Sequence, residues 1–189
     1  MSAAVPERSV YGMAPLIRFT LLALYGALVL PLPLLAPAGL GAFLWGAVAL
    51  GWVLVVAITS EQVILNQDGL RVGHPAWCGW WLKRGWQLPW SRVEGLSAVA
   101  TSQGGRVFYV RSSGGSASGE GGARQAFLLP QRVERFEEFL SAFTARSGVS
   151  TASVARITPP WTYQLLALMS VALLVGEGVT LARMGFRLP

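Results

Sequence analysis

The segment HPAWCGWWLKRGWQLPW, residues 74–90, holds five tryptophans together with the chain's one histidine and one cysteine. His74 and Cys78 are too few to complete a tetrahedral zinc site, and they cannot supply the paired cysteines and histidine of covalent haem attachment. A pigment or haem pocket would rest on a single histidine followed by Pro75, at a strand edge. Nucleophilic catalysis fares no better, because the serines and carboxylates of this chain have no histidine or cysteine in a suitable neighbourhood. The glycine-rich stretch SGGSASGEGG, residues 113–122, lacks the Lys-Ser/Thr and following helix of a phosphate loop. Glu137 and Glu138 fall on adjacent faces of a helix and stay solvated. The sequence therefore offers no catalytic, cofactor or metal residues, and the chain reads as a non-enzyme.

Contact is what residues 74–90 suit. Exposed tryptophan and arginine make binding hot spots, and indole also favours the membrane interface, where its apolar body and polar N–H are both satisfied. Trp77, Trp80, Trp81, Lys83, Arg84 and Arg92 are the candidate residues for binding a partner protein or a lipid surface. Trp86 and Trp90 alternate with Leu88 and are expected in a core. Nucleic acid is not an expected partner, since most arginines are scattered among glutamates and form no basic groove.

Membrane spans flank this segment in the chain. The chain has 189 residues, 53% hydrophobic and only 13% charged, a balance outside that of ordinary soluble domains. Residues 16–35 and 40–58 are each long enough to cross about 30 Å of hydrocarbon, with the turn APAG between them. Residues 1–15 form an N-terminal tail, and Arg8 and Arg18 ahead of two apolar runs fit a retained hairpin better than a cleaved signal. Ala42 with Gly46, and Ala47 with Gly51, are small residues four apart; they either admit a second helix closely or simply reflect membrane-helix composition. Residues 161–182 make a third span, opening with Trp161 and Tyr163 at headgroup level. Glu177 lies late in it, where a carboxylate either is hydrated near the helix end or serves a proton or ion path.

Between the spans, residues 59–147 read as a sheet-rich module. TSEQVILNQDGLRVGHP has two apolar runs around an Asp-Gly turn, the pattern of a β-hairpin. GWQLPWSRVEGLSAVA, GRVFYVRS and ARQAFLLP continue as strands. The apolar period then lengthens to that of a helix, placing Val133, Phe136, Leu140 and Phe143 on one stripe and Glu134, Arg135, Glu138 and Arg146 away from it. Residues 148–160 form a polar linker, and 183–189 a C-terminal tail.

Thirteen Lys and Arg lie before or at the first span's edge, in the module and in its linker; the first turn has none and the C-terminal tail has Arg183 and Arg187. The positive-inside rule then puts the N-terminus and the module on the cytoplasmic side of an inner or thylakoid membrane.

The module resembles bacterial PH-like domains, which pair a small β-sheet or barrel with a C-terminal capping helix and often accompany membrane spans. The likeness rests on VILNQDGLRV as the opening hairpin, QLPWSRVEGL as a Pro-Trp-x-x-Val strand entry and AFLLPQRVERFEEFLSAF as last strand into helix, and covers residues 59–146. The order of two spans and a short extended module is also similar to small assembly factors of photosystem I, although those end after the soluble domain. These resemblances imply a membrane α + β protein, made of a transmembrane hairpin, a PH-like module and a third span, that scaffolds or assembles a membrane protein complex. The alternatives are a module that recognises anionic lipid and an assembly factor of a photosynthetic complex.

Overall fold

Two prolines interrupt the first apolar helix. Pro31 and Pro33 have no amide hydrogen to give the carbonyls of Ala27 and Val29, so the regular ladder stops after Leu30, whose N–H still reaches Gly26 O at 2.9 Å. In the computed structural model, which describes residues 7–37, 39–82, 85–100, 106–113, 125–130, 133–151, 154 and 160–183, this gives α1 (Pro15–Val29) and the short α2 (Pro31–Leu34). Two further apolar helices are α3 (Gly41–Ile58) and a C-terminal helix at Pro160–Arg183. Pro15–Leu34, Gly41–Ile58 and Trp161–Arg183 are each long and apolar enough to cross a membrane, in agreement with the three spans read from the sequence.

These helices make one of two compact units, Pro15–Thr59 with Pro159–Pro189. Buried Thr20 on α1 donates to Leu16 O at 2.8 Å and lies 3.3 Å from Tyr163 O on the C-terminal helix. The Tyr25 hydroxyl reaches across to α3 and donates to Val48 O at 2.9 Å, with its ring edge-on to Trp52. Gly51 is what admits that ring: a Cβ there would overlap the Tyr25 side chain. Of the small pairs on α3, the Ala47–Gly51 pair is thus partly used inside the chain, while Gly46 borders open space.

The second unit, Met1–Ala14 with Ser60–Thr158, holds all the strands found among the described residues. A four-stranded antiparallel sheet runs β1 (Ser9–Tyr11), β2 (Gln62–Leu65), β3 (Gly69–Gly73) and β4 (Trp86–Pro89), each paired with the next. A three-stranded antiparallel sheet follows: β5 (Val93–Ala100), β6 (Arg106–Ser112) and β7 (Gln125–Leu129). Helix α4 (Ala76–Gly79) lies between β3 and β4, and α5 (Phe136–Ser147) follows β7; the C-terminal helix is therefore α6.

The two sheets do not join into a closed barrel. Pro89 brings no N–H to a ladder, the chain turns through a 3-10 segment at Trp90–Arg92, and the β5–β6 register shifts at once between Val93 and Gly95. The break therefore falls at Pro89 and the 3-10 turn behind it, where Trp90 N–H still reaches Asp68 O at 3.2 Å but the extended backbone ends, and the barrel form of the expected module gives way to two open sheets.

The expected hairpin is present, with Ile64 opposite Arg71 and the Asn66 N–H closing on Gly69 O at 2.9 Å. Residues 1–15 contribute more than a tail, because Ser9–Tyr11 pairs with Val63–Leu65 and Tyr11 is buried in the core. Alternating side chains of both sheets, including Val63, Leu65, Leu70, Val110 and Leu129, meet the apolar face of α5. All four residues of the expected stripe are buried, and so is Phe139, which stacks between Phe136 and Phe143.

Val133 forms a lone bridge to Met13 rather than a helical turn. Arg135 then takes a left-handed backbone (φ 48°, ψ 45°), a conformation that costs an L-residue about 1 to 2 kcal/mol, and redirects the chain into α5. Its guanidinium lies 5.4 Å from the Tyr11 ring centroid and pairs with Glu138 at 3.2 Å. Val154, within the expected polar linker, reaches into this core. The expected glycine-rich loop, beyond Ser113, and the C-terminal tail lie outside the described residues.

Candidate docking surface

The tryptophans of residues 74–90 divide by position. Trp86 sits on β4, its ring 5.0 Å from that of Phe127 and its indole N–H on Leu128 O at 3.1 Å, so it ties the first sheet to the second. Trp90 gives its N–H to Asn66 O at 2.9 Å and meets Phe143 edge-on at 5.6 Å. Both pack against the core as expected, Trp86 from β4 and Trp90 from the 3-10 segment that follows it.

Trp77, Trp80 and Trp81 do the opposite. They are carried by α4 and the turn behind it, and they are 50%, 82% and 39% exposed. Their carrier is nevertheless ordered. Pro75 O accepts the N–H groups of Cys78 (3.2 Å) and Gly79 (2.8 Å), and Cys78 O accepts those of Trp81 (3.3 Å) and Leu82 (3.1 Å). Cys78 is fully buried and pins the turn from below, its thiol directed at Pro75 O. The Trp80 indole N–H folds back onto Trp77 O at 3.2 Å. Three large aromatic side chains thus project from a turn whose own backbone is hydrogen-bonded, and Gly85 lets the return strand pass close to Val72, where a Cβ would overlap the Val72 carbonyl.

Of the charged residues expected beside them, Lys83 and Arg84 lie outside the described residues. Arg92 is exposed, but it belongs to the 3-10 turn on the far side of β4 in the chain, where its carbonyl accepts the Ser113 N–H at 3.0 Å. It is not part of the α4 turn. His74 is half-buried at the start of this turn, its Nδ1 enclosed and without a hydrogen-bond partner among the described residues. Among those residues no three His, Cys, Asp or Glu side chains gather where they could hold a metal.

A crevice of about 290 Å³ opens in the same unit, lined by Glu61, Val72, Trp86, Tyr109 and Phe127 among others. Nothing in the spacing of these residues announces it, because they come from β3, β4, β6, β7 and the entry to β2, and only the sheet pairing assembles them.

The fold defines a class: a small α/β chain with two antiparallel sheets and three helices long and apolar enough to cross a membrane. Within it, the chain belongs to the family of the uncharacterized protein slr0269 of Synechocystis sp., with which it shares 36% identity over 172 residues, covering 88% of this chain and 82% of that protein. No protein-family model and no solved structure matches the chain.

Proposed function

We propose that this is a non-enzymatic integral membrane protein that scaffolds or assembles a membrane protein complex, docking a partner subunit through the tryptophans of α4 and the turn behind it. The observation that carries the reading is the exposure of Trp77, Trp80 and Trp81 on a hydrogen-bonded turn pinned by Cys78. An ordered turn holds these rings out of the core, and burying one against a partner contributes about 1.5 to 3 kcal/mol without a large ordering cost.

The topology supports a membrane-anchored module. β1 precedes the α1–α3 hairpin and β2 follows it, yet the two strands pair, so any membrane that the hairpin enters must be crossed an even number of times between them. The distribution of Lys and Arg then favours the cytoplasmic side for the module. The PH-like reading draws on α5, which follows the last strand and seats its phenylalanine face on the core of both sheets.

Tagged full-length protein purified in mild detergent should bring down a stoichiometric partner subunit, and repeated recovery of the chain alone would contradict the proposal. A second reading, recognition of anionic lipid by the same surface, is favoured by the basic pair Lys83 and Arg84 directly after the exposed rings in the chain. A photo-crosslinking residue at position 80 separates the two: a polypeptide adduct supports docking, whereas a lipid adduct that disappears when Lys83, Arg84 and Arg92 are neutralised supports the second.

A further inference from the structure

In the helical unit an open groove of about 720 Å³ lies between the end of the first apolar helix and the C-terminal half of α6. Pro31 and Leu35 form one wall, and Ala172, Gly176, Glu177 and Thr180 belong to the other. We propose that this groove seats a transmembrane helix of a partner subunit, one that carries a lysine or arginine at the depth of Glu177. The inference rests on the reading above that the three helices span a membrane and that the protein assembles with other subunits.

Three observations lead to this occupant. First, α6 has already committed another face. Tyr163 O receives Thr20, Ala167 and Ser170 are buried, and Leu174 approaches Gly26, a set that follows helical spacing along one side. The groove side stays uncovered: Ala172, Gly176 and Thr180 stand four apart as a strip of small residues flanked by Met169 and Leu173, and a Cβ at Gly176 would meet nothing within 4 Å. Small residues at this interval let a second helix backbone come close, which in lipid supplies the packing that hydrophobicity cannot.

Second, Glu177 is the one acidic residue in the three candidate spans, and it borders this groove. A carboxylate at membrane depth is costly and normally pairs with a cation. Third, depth and symmetry narrow the source of that cation. Glu177 precedes Arg183 by six residues, about 9 Å along the helix, so if Arg183 marks the headgroup level a lipid ammonium lies too far out and the cation must be carried by a spanning segment. A second copy in the same orientation would set Glu177 against Glu177, and like charges at this depth oppose that pairing.

The test uses the full-length chain in its own membrane with a photo-crosslinking residue in place of Met169, an exposed large side chain at the groove. The expected product is an adduct to another polypeptide, at a span that contains a lysine or arginine. Glu177→Lys should lower its yield about tenfold or more, Glu177→Gln should lower it less, and replacing the partner's cation by glutamate should restore it against Glu177→Lys. Gly176→Leu, which fills the groove without touching the charge, should also lower it. Adducts to lipid alone, adducts to a second copy of this chain, or a yield unaffected by Glu177→Lys would overturn the inference. A position 80 adduct to polypeptide that persists in the same variants shows that they remain folded; loss of polypeptide adducts at both positions in the parent chain would overturn the docking proposal as well.

Discussion

Trp86 and Trp90 sit within ten residues of Trp80 and Trp81, yet the two groups are placed in opposite ways. The later pair carries hydrogen bonds to Leu128 O and Asn66 O and rests on phenylalanine rings, so its indoles are spent inside the module. The earlier group, with Trp77, rides on a turn that satisfies its own backbone and leaves the rings outside. One composition therefore serves two purposes, and the backbone that carries each indole decides which. Strand alternation on β4 turns Trp86 toward the core, and the 3-10 turn that begins at Trp90 lays its indole over Asn66 and Phe143, while the α4 turn lifts its own indoles clear.

The comparison breaks first at the core. Phe143 is fully buried beneath Trp90, and Phe143→Ala should cost about 3 to 5 kcal/mol in unfolding of the detergent-solubilised chain. Trp90→Ala removes the other half of that contact and one hydrogen bond from a half-buried site, so about 2 to 4 kcal/mol is expected in the same denaturation. Trp90→Phe should recover most of it.

Exposed positions should behave differently. Trp77→Ala and Trp80→Ala should each shift stability by no more than about 0.5 kcal/mol, read by the same unfolding curves. A loss comparable to that of Trp90→Ala would erase the distinction between the two groups.

The smallest effect sharpens the core side through pH. Burial raises the Tyr11 phenol above its ordinary value of 10.0, opposed by a hydrogen bond from Ser9 and reinforced by Glu138. The unfolded chain then loses this proton first, so the contribution is whole below about pH 10 and declines as pH rises toward the folded value. Tyr11→Phe should flatten that alkaline decline in a pH series of melting curves, and an unchanged slope would show that Tyr11 is not its source.

Much of this arrangement is legible in the chain, and where it is not the reason is physical. Span length and apolarity are local quantities, so the three long helices follow directly from residues 16–35, 40–58 and 161–182. The β2–β3 hairpin is equally local, being written in the Asp68-Gly69 turn, and so is the inward turn of Trp86 beside Leu88 on β4; Trp90 is core as well, but from the 3-10 turn that follows the strand. β1 is different. Three residues are too short to show a period, and their partner lies more than fifty residues on, beyond three helices.

The open break between the sheets depends on what Pro89 and the bulge at Val93 and Gly95 do to a ladder, and periodicity carries no sign of it. Phe139 was hidden because a helix lying on two sheets buries a wider face than one stripe. At the candidate surface, tryptophan density marks the segment, but which indoles face outward depends on α4, a single turn held by Pro75 O and Cys78 O. The groove at Glu177 needs two helices to exist, and the acid alone points only to its depth.

The central claim is that the exposed indoles bind and do not build. Its most direct test is purification of tagged full-length protein beside a Trp77→Ala/Trp80→Ala variant, with the melting temperature of each measured in the same detergent. The parent chain should recover a stoichiometric partner and the variant at least about tenfold less, with melting temperatures within about 2 °C of each other. Equal recovery of partner by both chains, or a variant that no longer folds, would contradict the claim.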